Sequence, residues 1–301
     1  SEANNFYFFM AFLAYGLGIY IFHTRSFYSV KKVVKPDHWF NLETTLAGFF
    51  VGTVTPGTKI GGDIVRSYFI GKKYDKPKAK VFGAILADRL FHLVISLFFI
   101  ISSILFILTY IPVSLELKVI FQAILFFVLA LVSVLGYISF RKANFNIELF
   151  LKKIRWLIPQ ASRKSGKSEL EKILIKHFGH FAGTFRKTVR DRNVILVAVF
   201  LSLAYWILNF LVSYLLFLSF GIDISFLLVV VVVSLGYLIG DFSPSPGGIG
   251  LIEGFMILAY SLLGLNLSVS VAVSLLSRII FYFYSVILGG ISLIHLEHSV
   301  K

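Results

Sequence analysis

Apolar residues fill this chain in long runs, separated by short polar stretches. Phe6–Phe22, Leu90–Ile111, Leu117–Phe140, Val194–Phe220 and Ser268–Ile294 are each long enough, as helix, to cross a hydrocarbon layer roughly 30 Å thick. Between them lie runs that are too short. Leu42–Val54 reaches only about 20 Å and ends in Thr55-Pro56-Gly57-Thr58, after which Ile60–Gly71 follows. Ile224–Gly240 and Leu251–Gly264 form a second such couple around DFSPSPGGIG. The pattern predicts an all-α polytopic membrane protein whose spanning helices are accompanied by two broken helical hairpins.

Composition agrees. The chain is 57% hydrophobic and 15% charged, against about 45–50% and about 25% for soluble domains. It has no cysteine, which excludes disulfides, thiolate metal sites and cysteine catalysis. Phe6–Phe22 lacks a basic leader and a small-residue cleavage site, so it reads as a span and not as a signal peptide.

The net charge of +14 is concentrated in a few places. Residues 141–193 hold 14 Lys/Arg against 4 Asp/Glu, and smaller clusters lie at Arg25, Lys31, Lys32, Lys35 and at Lys72, Lys73, Lys76, Lys78, Lys80. In a membrane protein such loops mark the cytoplasmic side and favour anionic headgroups. The charge therefore needs no nucleic-acid partner. Loops 23–41, 72–80 and 141–193 are expected to be cytoplasmic, in a multi-pass protein of the cell membrane. Within the last loop, Leu170, Leu174, Phe178, Phe181 and Phe185 recur at helical spacing, as in a helix lying on the inner leaflet.

Charge also orients the broken hairpins. Basic loops flank 42–71 on both sides, so it enters from the cytoplasm and returns there. The flanks of 224–264 carry no Lys or Arg, so that hairpin enters from the opposite side. Span, re-entrant hairpin, span thus occurs at 6–111 and again, upside down, at 194–294. Residues 112–193 connect the two, within a single integral membrane domain over 1–301. Inverted repeats with broken helices meeting near the midplane are a common transporter plan, and irregular backbone at that depth must be buried in protein or line a wet cavity.

The two breaks align without a gap. TPGTKIGGD (55–63) matches SPGGIGLIE (245–253), placing hydroxyl, proline, glycine and terminal carboxylate in register. Arg89 follows Asp63 by 26 residues, and Arg278 follows Glu253 by 25. A helix that starts after each Pro-Gly offers unpaired N–H groups and a partly positive end, which suits phosphate or carboxylate. The candidate substrate-binding residues are Thr55, Pro56, Gly57, Lys59, Gly61, Gly62, Asp63, Arg66 and Arg89 in the first half. In the second they are Ser245, Pro246, Gly247, Gly248, Gly250, Glu253 and Arg278. Two structural alternatives remain open: Gly57/Gly61 and Gly250/Gly254 also read as helix-packing pairs, and both acids also suit helix N-termini. Asp88, Asp241 and His92 are weaker candidates. His177/His180 and His295/His298 lack further ligands, so neither a metal nor a cofactor is expected. Motifs for nucleophilic, zinc or nucleotide chemistry are missing, and no catalytic residue is assigned.

These residues resemble the lysylphosphatidylglycerol synthase transmembrane family, also called the flippase-like domain family. The resemblance rests on VTPGTKIGGDIVRSYFI (54–70), ILADRLFHLVISL (85–97), SPSPGGIGLIEGF (243–255) and LLSRIIFYFYSVILGGISL (275–293). It implies an integral membrane protein. Some members carry a soluble aminoacyl-transferase domain beside a membrane part assigned to lipid movement; others are linked to polyprenyl- or dolichyl-phosphate sugar pathways. With no such soluble domain before Lys301, this polypeptide is expected to act without lysylating lipid. The first expectation is a flippase for an anionic phospholipid or a polyprenyl-phosphate-linked lipid. The alternatives are a membrane-embedded transferase or accessory subunit for lipid-linked sugars or aminoacyl-lipids, and a small-solute or ion transporter. Transport is favoured over enzymatic activity.

Overall fold

The computed structural model describes residues 4–55, 60–112, 114–140, 167–241 and 243–300. These residues are helical with short connections, and no strand occurs among them. In chain order the helices are α1 (Asn5–Val30), α2 (His38–Val54), α3 (Ile60–Lys73), α4 (Lys78–Tyr110), α5 (Leu115–Phe140) and α6 (Lys167–Val189). Next come α7 (Arg192–Ser219), α8 (Phe226–Asp241), α9 (Leu251–Leu262) and α10, which runs from Leu267 to Ser299.

Caps explain several starts. Asn4 accepts from the Phe6 N–H, Asp37 from Phe40, Asp191 from Val194 and Asn266 from Ser268. Each satisfies an N–H group that has no partner within its helix. Helix α10 contains a π-helical segment, Phe283–Leu288, where one wider turn shifts the faces that follow it.

Among the described residues, α1, α4, α7 and α10 are long and apolar enough to cross a membrane. The sequence pattern finds these four, with Leu117–Phe140 in α5 as a fifth, and draws two of them short: α1 continues to Val30, and α4 begins at Lys78. Exposed Phe6, Phe9, Leu13 and Leu17 on α1, and Leu275, Ile279, Ile287, Ile291 and Ile294 on α10, recur mostly at helical steps. Such stripes face lipid. By contrast, α2, α3, α8 and α9 have 17, 14, 16 and 12 residues, roughly 18–26 Å each. None of them spans alone.

The packing has an ordered plan. Helix α1 lies along α7. Helix α2 packs on α3 and α8 on α9; α3 packs on α4 and α9 on α10. Helix α2 then crosses to the C-terminal half of α10, while α8 crosses to α4. Each of these pairings within or from α1–α4 thus has a counterpart within or from α7–α10, whereas the packing of α4 on α5 and α6 has none.

In a bilayer, close approach of helices replaces much of the hydrophobic drive, and small residues permit it. At the α2–α3 crossing a Cβ on Gly62 would overlap the Gly48 carbonyl oxygen. A Cβ on Gly289 would lie 2.6 Å from the Leu46 carbonyl oxygen, fixing α2 against α10. The larger apolar core surrounds Trp206, Phe210, Phe217 and Tyr260, where α7 meets α8, α9 and α10.

Helix α6 corrects part of the reading of 141–193 as a basic loop. Its Phe181 ring lies 5.8 Å from that of Phe82 at the start of α4, and Thr188 is fully buried. One face of the amphipathic helix therefore rests on protein. The side chains of Leu170 and Leu174 lie outside the described residues.

Candidate functional site

At the second break, α8 ends near Asp241 and the chain resumes as a short 3-10 turn, Pro246–Gly248, before α9. Gly247, Gly248 and Gly250 have φ of 60°, 73° and 83°, the region where L side chains are strained. Glu253 stands in the first turn of α9 and uses both oxygens. Oε2 accepts from the Gly250 N–H at 2.7 Å, half of a capping box. Oε1 accepts from Arg278 Nε at 2.6 Å. Arg278 Nη2 also donates to the Gly247 carbonyl at 2.5 Å and to the Tyr282 hydroxyl at 2.9 Å. Both members are buried. A one-to-one ion pair therefore ties the turn, the start of α9 and α10 together.

The first break has a related but looser arrangement. Asp63, in the first turn of α3, accepts from Arg89 Nη1 at 2.5 Å through Oδ2. Its Oδ1 lies 3.8 Å from Arg66 Nη1, too far for a hydrogen bond. The Arg66 residue is only 3% exposed, yet among the described residues its one hydrogen bond goes from Nη2 to Ser26 Oγ at 2.5 Å. Its Nε has no partner among the described residues. The Arg89 side chain remains one-third exposed. The two breaks meet: a Cβ on Gly247 would lie 3.1 Å from Thr53 Cγ2, at the end of α2.

Behind the first break lies a second buried ion pair. Arg25 clasps Asp88 through two bonds, Nε to Oδ1 at 2.9 Å and Nη2 to Oδ2 at 3.0 Å. Arg25 Nη1 reaches Ser202 Oγ at 2.9 Å and His92 Nδ1 at 3.0 Å. Helices α1, α4 and α7 are thereby joined by one guanidinium. Side-chain polarity continues toward the second break: Tyr237 donates to Asn209 Oδ1 at 2.9 Å. Tyr15, Asn209, Ser213, Tyr237, Ser277 and Arg278 help to line a cavity of about 40 Å³, room for roughly two or three waters.

Several expectations are refined or corrected. The Asp63/Arg89 and Glu253/Arg278 spacings form ion pairs in both halves. Pro56, Gly57 and Lys59 lie outside the described residues. Gly61 sits beside Thr55 Oγ1 and Val51, and Thr55 spends its hydroxyl on the Val51 carbonyl at 2.6 Å. Ser245 bonds within its own turn, to Ser243 at 2.7 Å and the Ile249 carbonyl at 3.0 Å. The Gly250/Gly254 pair does not pack helices among the described residues, because none of their atoms lies within 4 Å of a Cβ at either position. Arg25 does not belong to a solvated basic cluster; at 1% exposure it is an interior cation. Asp88 and His92 are its partners.

Ser26, Ser202, Asn209 and Gly48 escaped sequence reading. Asp88, inside the apolar run ILADRLFH, was the available signal, since a carboxylate there demands a buried cation. Among the described residues no group of three or more His, Asp or Glu could hold a metal ion.

A family model described as the lysylphosphatidylglycerol synthase TM region matches residues 1–289. The chain belongs to that family. A UPF0104 membrane protein of Methanothermobacter thermautotrophicus is 29% identical to this family member over 264 residues, 85% of this chain and 75% of the relative. Another from Methanocaldococcus jannaschii is 28% identical over 257 residues, 85% of this chain and 74% of its own. A third, from Pyrococcus horikoshii, is 26% identical over 251 residues, 83% and 75% respectively. No solved structure matches. Membership and the four candidate spans make the protein a multi-pass membrane protein.

Proposed function

We propose that this chain is a flippase-type transporter that moves an anionic phospholipid, or a polyprenyl-phosphate-linked lipid, between leaflets. The headgroup is held between the two broken hairpins, at the N-terminal ends of α3 and α9, while the hydrocarbon tails stay in lipid. The observation that carries this reading is the meeting of the breaks. Gly247 abuts Thr53, and each break has an arginine–carboxylate pair behind it. Charged groups at such depth are expensive and mark pathways or functional ion pairs. The family's description as the membrane region of a lipid synthase supports a lipid as the ligand.

The paired contacts of α1–α4 and α7–α10 support reading residues 6–111 and 194–294 as an inverted repeat within one membrane domain. Each short hairpin is then re-entrant, and the basic loops face the cytoplasm at the cell membrane. Rocking one repeat against the other would expose the break region to each leaflet in turn, the usual alternating-access scheme for such repeats.

The test is lipid movement in reconstituted vesicles. Short-chain fluorescent phosphatidylglycerol, quenched from outside by dithionite, reports the fraction that reaches the outer leaflet. The wild type is expected to move lipid well above protein-free vesicles. Arg66→Gln and Glu253→Gln are expected to slow it at least about tenfold, the scale of one lost charged hydrogen bond. Wild-type vesicles no faster than protein-free ones, or full activity in both variants, would defeat the reading.

A further inference from the structure

The two ion-pair centres are related in sequence and unequal in charge. At the second, one arginine meets one glutamate, and each finds further hydrogen-bond partners in the turn it supports. That ion pair is neutral. Around the first, the charged neighbours of Arg66 among the described residues are Asp63, Asp88, Arg25 and Arg89. Arg25 and Asp88 neutralise each other through two bonds. Asp63 is left to serve both Arg66 and Arg89, so these described residues together carry one excess positive charge.

Arg66 shows that excess locally, being 3% exposed, with its Nε unpartnered among the described residues and its nearest carboxylate oxygen there 3.8 Å away. A buried cation short of counter-charge and hydrogen bonds is unfavourable unless an anion completes it.

We propose that Asp63, Arg66 and Arg89 form the phosphate-binding half of the site, and that Glu253 and Arg278 form a latch that keeps the second break in shape. The ligand chemistry is a phosphate group carrying net negative charge. It rests on the transporter reading only in taking that phosphate from a lipid. Arg89 admits the group because its side chain is partly open, and Arg66 receives it from the protein side. Asp63 holds both cations in place and competes with the incoming anion.

That competition gives the assignment a directional test. Binding of fluorescent phosphatidylglycerol to the purified full chain in neutral detergent is measured, with inorganic phosphate as a second probe. Arg66→Gln and Arg89→Gln each weaken lipid binding about tenfold or more, while Arg278→Gln weakens it less than about threefold and chiefly lowers the melting temperature. Asp63→Asn strengthens binding, because the centre gains a further positive charge. Arg66→Lys, which keeps the charge, falls between Gln and wild type and guards against a folding defect in the glutamine variant. Lys32→Gln, a distant surface change, leaves binding at the wild-type level.

Wild-type affinity in Arg66→Gln would overturn the assignment. So would a folded Asp63→Asn that loses binding as far as Arg66→Gln does, since that marks a structural ion pair alone. Binding of inorganic phosphate without lipid would overturn the lipid source; lipid binding that phosphate does not displace supports it. A wild type that binds lipid through Arg66 but moves none defeats the transporter reading and leaves this assignment standing. Movement that survives Arg66→Gln does the reverse.

Discussion

The first and second breaks read alike in sequence and differ in how completely their charges are satisfied. Glu253 and Arg278 use their hydrogen-bonding capacity on Gly250, Gly247 and Tyr282, and both are buried. Asp63 is divided between two arginines, one of them interior with a nitrogen unpaired among the described residues and the other one-third exposed. A pair that meets its own needs holds backbone in place. One that does not is available to a ligand. Matching positions in the two breaks therefore need not share a duty.

Removing one acid at a time separates the two roles most strongly. Glu253→Gln leaves Arg278 buried without a counter-charge and should lower stability by about 3–5 kcal/mol. Adding anionic lipid should restore little of it. Asp63→Asn should also destabilise the protein in neutral detergent, but phosphatidylglycerol should recover most of that loss, because a ligand bound only to the folded state raises its stability. Melting temperatures of both variants with and without the lipid check this. Equal recovery in the two would erase the distinction between the centres.

Much of this arrangement is legible in the sequence, for a physical reason. Short apolar runs interrupted by Pro and Gly must be re-entrant or buried, and a carboxylate eight residues after the hydroxyl recurs in both breaks. The arginine follows at nearly the same interval, which makes Arg89 and Arg278 candidates to pair with Asp63 and Glu253 or to receive a phosphate. The Arg25–Asp88–Ser202 junction is not legible in this way. Its members come from three helices, separated by 63 and 177 positions, and no local spacing encodes which helices are neighbours. Arg25 was misread because it sits near the end of a span among other basic residues; only the continuation of α1 to Val30 carries it inside. Gly48 was overlooked because its need is set by the approach of Gly62 from the next helix.

The glycines offer a second way to sharpen the comparison. Gly62 is required for space, whereas Gly250 is required for backbone conformation. Gly62→Ala drives a methyl into the Gly48 carbonyl, so α2 and α3 must separate, at about 3 kcal/mol, the upper part of the usual overpacking range. Gly250→Ala meets no atom within 4 Å but must hold φ near 83°, which should amount to about 1–2 kcal/mol. Thermal melts of the two variants in the same detergent decide the order. A larger loss for Gly250→Ala would mean that the α2–α3 crossing relaxes easily, and would weaken the view of the first break as a rigidly spaced centre.

The smallest expected effect comes from an ion pair outside both centres, and it tests whether burial is what gives them their weight. Lys32 Nζ lies 2.6 Å from Asp191 Oδ2, with both side chains roughly a quarter to a third exposed. The Lys32 ammonium, and then the Val194 N–H, hold the Asp191 carboxyl below its ordinary range. A carboxylate depressed in the folded state lends stability that is present above its unfolded value, about 3.9. That stability fades as pH falls through the folded value. The melting temperature of wild type should therefore drop slightly more than that of Lys32→Gln as pH is lowered below about 4, the difference shrinking in high salt as screening removes it. Val194 should keep its cap in both proteins, so the residual slope belongs to the helix start. If Lys32→Gln instead matched the loss seen in Glu253→Gln, exposure would not be the discriminant, and the contrast between the open and the closed centre would need another cause.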